Sequence, residues 1–81
     1  MIARVGEVLR VNRLARRVTQ SDLSRRAGIH RLTLIQIERG KSCNVESVEA
    51  LAGALGLDPA AVFADGYALA AKEGVHATIR R

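Results

Sequence analysis

Residues 19–41 read Thr19-Gln20-Ser21-Asp22-Leu23-Ser24-Arg25-Arg26-Ala27-Gly28-Ile29-His30-Arg31-Leu32-Thr33-Leu34-Ile35-Gln36-Ile37-Glu38-Arg39-Gly40-Lys41. The punctuation of this stretch decides the fold. Thr19 is a good N-cap, because its hydroxyl can accept from an orphan N–H of the first turn. Asp22 at the third helical position makes a shortened capping box. Val18 before the cap and Leu23 at the fourth position make a hydrophobic staple. Leu23 and Ala27 then share a face, and Gly28 supplies a left-handed exit. A helix of about eight residues is marginal in water, so it must pack against something. After Ile29 and His30 a second helical run, Arg31 to Arg39, stops at Gly40. Leu34 and Ile37, with Ile29 just upstream, form its buried face; Arg31, Leu32, Ile35, Gln36 and Arg39 point elsewhere.

Outward from this pair the chain continues to read as helix. Upstream, Ile2 to Arg16 places Ile2, Val5 and Leu9 on one stripe, continued by Asn12 or Arg13. Downstream, Asn44 caps a run in which Val45, Val48, Leu51, Ala52 and Leu55 recur at helical spacing, with Glu46 and Glu49 outward. Gly56 ends it and Leu57 can fold back on its last turn. Asp58-Pro59 restarts the helix, with Asp as cap and Pro at the first position, and Val62 and Phe63 finish a short fifth helix. Residues 1–65 are thus expected to form one domain and residues 66–81 an extension, serving as a dimerisation segment or a flexible tail. Tyr67 to Lys72 reads as a helical turn or two broken by Gly74. Val75, Ala77 and Ile79 then alternate with His76, Thr78 and Arg80, as a strand would.

Eighty-one residues suffice for one domain and exclude a Rossmann unit or a barrel. The chain is 48% apolar, enough for one small core and too much for a disordered segment. Tyr67 and Phe63 are the only aromatics, so the core must be aliphatic and an aromatic base-stacking platform is nearly excluded. Cys43 is the only cysteine, which rules out an internal disulfide or a thiolate zinc cage and makes a reducing compartment the default. The longest charge-free run, Ala50 to Leu57, is far too short to span a bilayer. Charge interrupts the apolar residues of Met1 to Val8, so no secretory leader is expected.

The net charge is +5, unevenly spread. Residues 1–41 carry ten Arg or Lys against Glu7, Asp22 and Glu38, a balance of +7. Residues 42–81 carry Lys72, Arg80 and Arg81 against five acids, a balance of −2. A basic half beside a mildly acidic one is the electrostatic footprint of a polyanion binder, although a solvated basic surface would look similar.

Two short helices about a tight Gly turn in such a domain point to a helix-turn-helix. That motif needs an apolar residue and then a small one where the helices cross: Leu23 and Ser24. Its turn needs a residue tolerant of positive φ and an apolar plug: Gly28 and Ile29. Its second helix needs buried residues three apart: Leu34 and Ile37. All six occur in order.

The stretch Thr19 to Ile29, followed by Leu34 to Lys41, resembles the Cro/repressor-type helix-turn-helix family, also called XRE or lambda repressor-like. Leu51-Ala52-Gly53-Ala54-Leu55-Gly56-Leu57 and Val62-Phe63 resemble that family's fourth and fifth helices, so the likeness covers about residues 5–64. It implies an all-α, five-helix domain with a central helix-turn-helix and a short C-terminal extension. The implied function is transcriptional regulation by sequence-specific binding of double-stranded DNA. The third helix would enter the major groove, and a homodimer would bind a pseudo-palindromic operator as a repressor.

The resemblance also assigns roles. Gln20 opens the second helix, where its amide grips a phosphate or braces the third helix; a helix N-terminus favours anions in any case. Arg31, Leu32, Ile35 and Gln36 fall at or beside base-reading positions. Gln can pair with adenine, Arg with guanine, and aliphatic groups can touch thymine methyls; for Leu32 and Ile35 a protein contact remains the alternative. Arg39, Lys41 and Arg17 are candidate phosphate contacts, as is Thr33, which can equally bond its own backbone. Arg10, Arg16, Arg25 and Arg26 belong to the same basic field. Arg13 and Glu38 are expected to form a partly buried structural ion pair, not a catalytic dyad. Leu57, Val62, Phe63, Tyr67 and Leu69 are the expected dimer interface. Three residues depart from the family pattern: His30 replaces the usual capping residue, Cys43 stands where Pro is common, and Asn12 interrupts an apolar position without an obvious partner.

An enzyme is not expected. His30 and His76 lack a carboxylate or cysteine at ligand spacing, and no Gly-rich phosphate loop occurs. No cofactor, metal, small-molecule ligand or membrane is implied. A bacterial or phage-encoded cytoplasmic protein, nucleoid-associated when bound, is the expected setting. The alternatives are an antitoxin-type or other protein-interaction regulator of a two-gene module, and a double-stranded RNA binder, which the narrow A-form major groove disfavours.

Overall fold

The computed structural model describes residues 4–41 and 43–79, with side chains described as far as residue 72. Five helices follow one another: α1 (Val5–Ala15), α2 (Gln20–Ala27), α3 (Arg31–Glu38), α4 (Val45–Ala54) and α5 (Pro59–Ile79). No strand occurs among the described residues.

The local signals act as their chemistry requires. The Thr19 hydroxyl accepts from the Asp22 N–H at 3.0 Å, and Gly28 leaves α2 in the left-handed region at φ 74. The Asn44 carboxamide oxygen accepts from the Ser47 N–H at 2.7 Å. His30 occupies the N-cap of α3 with extended backbone but its ring makes no capping bond. Asn12 is satisfied within α1: its Nδ2 donates to the Val8 carbonyl at 2.8 Å, and its Oδ1 accepts from Arg16 at 3.0 Å.

The aliphatic core draws on every helix. Val5 and Leu9 of α1, Leu23 of α2, Leu34 and Ile37 of α3, Val48, Leu51 and Ala52 of α4, Leu55 just beyond it and Val62 of α5 are buried together. Val45 is not among them; at 56% exposed, it stands outside the stripe predicted for it. Ile2, predicted on the α1 stripe, lies outside the described residues.

The fifth helix corrects the sequence reading. It does not stop at Phe63 but continues to Ile79, so the alternating stretch 75–79 is helical rather than a strand. A lone glycine such as Gly74 costs a helix about 1 kcal/mol relative to Ala, and Ala68, Ala70, Ala71 and Lys72 are strong formers that offset it. Gly66 lies inside the same helix. A Cβ there would lie 2.8 Å from Val5 Cγ2 and 2.9 Å from Val5 N, so its lack of a side chain is what lets α5 approach α1. The Arg4 N–H donates to the Gly66 carbonyl at 3.0 Å across the same contact. The helix crosses the expected 65/66 boundary unbroken.

Candidate nucleic-acid interface

Helices α2 and α3 meet across a short turn. Ser24 is buried at the crossing and donates its hydroxyl to the Ser21 carbonyl at 3.0 Å. Ile29, half-buried against the core, sends its N–H to the Ser24 carbonyl at 3.0 Å. With Leu34 and Ile37 inward, α3 turns Arg31, Leu32, Thr33 and Gln36 to solvent and leaves Ile35 half-buried. Leu32 is 71% exposed. An exposed aliphatic side chain beside Arg31 and Gln36 has the chemistry suited to base edges and thymine methyls.

An ionic network fixes the back of α3. Arg13 Nε donates to Glu38 Oε2 at 2.7 Å and Nη2 to Oε1 at 3.0 Å, a bidentate pair. Their side chains are only 10% and 4% exposed. Arg13 Nη1 also donates to the Val18 carbonyl at 2.9 Å, and Gln20 Nε2 donates to Glu38 Oε1 at 3.0 Å. Buried charge is tolerated only when its hydrogen-bonding capacity is met. Here it is: no buried side-chain nitrogen or oxygen among the described residues lacks a partner. The network therefore ties α1, the start of α2 and the end of α3 together.

Two shallow grooves flank it. One, of about 350 Å3, is lined by Arg10, Gln20, Arg31, Ile35, Glu38 and Arg39. The other, of about 410 Å3, is lined by Arg13, Thr19, Gln20, Ser21 and Arg31. Both open at the N-terminus of α2, where cationic side chains and a helix dipole together favour an anionic oxygen.

A family model described as helix-turn-helix matches residues 9–62, two thirds of the chain. The chain belongs to the Cro/repressor-type helix-turn-helix family. As a member it is a DNA-binding regulator, in a family that is generally non-enzymatic. No curated protein and no solved structure matches it. Among the described residues no group of His, Cys, Asp and Glu could hold a metal ion, and no single helix is long and apolar enough to cross a membrane.

Within this helix-turn-helix domain the predicted phosphate-contact residues are spread over the start of α2, over α3 and over the loops after α1 and α3. Thr33, Arg39 and Lys41 are exposed, and Gln20 is half-buried with one amide proton engaged by Glu38. Arg17 is exposed in the loop after α1, with φ 57, the one described residue other than glycine at positive φ. Cys43 is half-buried, and burial pushes its thiol above the ordinary value. That disfavours the reactive thiolate.

The predicted dimer-interface residues do not form one surface. Val62 is 2% exposed and belongs to the core, so it is used within the chain. This corrects its assignment to an interface. Leu57 and Phe63 are half-buried against the core, and Tyr67 is 60% exposed. Tyr67 and Leu69 are two residues apart on α5, about 200° around a helix, and cannot serve the same flat contact. Sequence reasoning also missed two exposed apolar residues of α1, Val11 at 51% and Leu14 at 49%. The available signal was that neither falls on the Val5–Leu9 stripe, so the core has no use for them.

Proposed function

We propose that this helix-turn-helix protein binds a pseudo-palindromic DNA operator as a homodimer and regulates transcription, typically by repression, with α3 in the major groove. It would act in the cytoplasm as a bacterial or phage-encoded protein, nucleoid-associated when bound. The carrying observation is the open α3 face of Arg31, Leu32 and Gln36, backed by the satisfied Arg13–Glu38–Gln20 network. Rigid support matters because base readout fails when a side chain is misplaced by an ångström. A single domain this small reads only a few base pairs; two-fold pairing doubles the site and sets the half-sites about 34–36 Å apart.

Selection of bound sequences from a random duplex pool, followed by gel shifts on the winner, tests this reading. Gln36→Ala should cost about 1–3 kcal/mol at one base pair per half-site and relax preference there. Arg39→Ala and Lys41→Ala should weaken binding to all sequences, each lowering the salt slope by about one. Equal loss from Gln36→Ala on selected and random DNA would refute the base-reading role, and recovery of no inverted repeat would refute two-fold binding.

A further inference from the structure

A recessed cavity lies where the first turn of α1 meets the loop after α3. It encloses about 240 Å3 and is lined by Arg4 and Glu7 at the start of α1 and by Arg39, Lys41 and Cys43 of the loop. Gly6 and Ile37, which touch where α1 meets α3, line it as well.

The charges around this cavity do not cancel. Glu38 borders it, but its carboxylate is 4% exposed and is bound by Arg13 and Gln20. Glu7 stands 4.0 Å from both Arg4 and Arg10. With Glu38 matched by Arg13, the cations Arg4, Arg39 and Lys41 face Glu7 alone, a surplus of two positive charges. The carbonyl end of α3 is capped, because Arg39, Gly40 and Lys41 donate their N–H groups to the carbonyls of Ile35, Ile37 and Gln36. Arg4 is the N-cap of α1. A guanidinium cannot accept from the first-turn N–H groups, so the positive end of that helix dipole adds to the field. The two Arg forks match phosphate oxygens in pairs, and Lys41 adds a point charge. Sites for drug-sized ligands run to roughly 300–1,000 Å3, so the occupant of this smaller cavity is a small anion.

We infer that this cavity binds a small phosphate-bearing dianion, and that the bound anion weakens DNA binding through Arg39. Arg39 lines both this cavity and the groove that it shares with Gln20 and Arg31. One guanidinium cannot hold an anion in each at full strength. The two occupants therefore compete, and linkage makes the effect reciprocal. The cavity stands without the operator reading; its effect on DNA rests on the phosphate roles proposed for Arg39 and Lys41.

The test uses the full chain and inorganic phosphate at mildly alkaline pH, where phosphate is a dianion, with sodium chloride at the same ionic strength as control. Cys43 is the only cysteine, so its alkylation by iodoacetamide, an uncharged reagent, reports on the cavity wall. Phosphate should slow alkylation saturably, with half the effect at about 1 mM, and chloride should not. Arg4→Gln, its fold checked by circular dichroism, should need about tenfold more phosphate, the loss of one charge-assisted contact. In gel shifts phosphate should weaken DNA binding beyond chloride in the wild type, and that excess should shrink in Arg4→Gln. Equal slowing of alkylation by the two salts overturns the site, and so does phosphate protection that is the same in Arg4→Gln as in the wild type. Protection of Cys43 with no excess effect on DNA overturns the competition through Arg39. A chain that binds no DNA refutes the proposed function and leaves the Cys43 protection to decide the cavity.

Discussion

Replacing Arg13 by Met probes the interaction on which the placement of α3 depends. The substitution keeps an aliphatic stem of similar length and removes three donated hydrogen bonds: two to Glu38, at 2.7 and 3.0 Å, and one to the Val18 carbonyl at 2.9 Å. What remains is a carboxylate only 4% exposed with the Gln20 amide as its one side-chain partner. Removing one member of a buried pair typically costs about 3–5 kcal/mol, because the other is left charged and poorly solvated. Against a total stability of roughly 4–12 kcal/mol for a chain this size, that is a large share. At roughly 4–8 °C per kcal/mol the melting temperature should fall by about 12 °C or more. Thermal and urea denaturation followed by circular dichroism measure the effect. Glu38→Met added to Arg13→Met removes the stranded charge and should recover much of the loss, since apolar replacement of a whole buried pair is often near neutral. A melting temperature unchanged by Arg13→Met would refute the buried pair. A double variant no more stable than the single would show that packing, not charge, carried the loss.

Three further outcomes follow from the backbone and from the lone thiol. Arg17→Gly relieves a left-handed residue at φ 57 and should stabilise the fold by about 0.5–1 kcal/mol. If Arg17 also grips a phosphate, the same variant lowers the salt slope of DNA binding by about one, whereas unchanged DNA binding would leave it a loop residue only. Gly6→Ala should destabilise by at least about 2 kcal/mol, because the new Cβ would lie 1.9 Å from the Ile37 carbonyl oxygen, a backbone atom that cannot swing aside; chemical denaturation measures it, and near-neutrality would refute the close α1–α3 approach. Alkylation of Cys43 at neutral pH should be slower than that of an unstructured cysteine peptide and should rise only as pH climbs above the ordinary thiol value, since burial raises it; a faster rate at neutral pH would contradict this.

Much of the helix-turn-helix was legible because its signals are local. Thr19, Gly28 and Asn44 each act through bonds or dihedrals within a few residues. Leu34 and Ile37 have no alternative face on so short a helix. What could not be read was set by contacts distant in sequence. Gly74 looks like a helix stop in isolation, and nothing local shows that α5 runs on past Phe63, where Gly66 packs against Val5, some sixty positions away. Val62 shares its local pattern with Phe63, and only the packing of α5 distinguishes the core residue from the rim. Val11 and Leu14 are apolar residues that fall off the core stripe. The partner of Asn12 proved to be its own helix, through the i−4 carbonyl that periodicity arguments about apolar stripes leave out.

Helix α1 is the element through which α3 and α5 are held at a fixed separation. Its first turn is clasped from both sides by glycine contacts, Gly6 on the Ile37 carbonyl of α3 and Gly66 of α5 on Val5. Its last turn is tied to α3 by Arg13 and Glu38. Close-packed contacts of this kind transmit displacement instead of absorbing it, and the α1–α3 contact has no side chain that could relax. The distance between two α3 helices in the proposed homodimer would then be set by where the rigid domain meets the second copy. An operator with one half-site spacing requires that distance to be invariant. Substitutions at Gly6 or Gly66 are then expected to act on spacing as well as on stability, although neither residue lies on the exposed face of α3 proposed to read DNA.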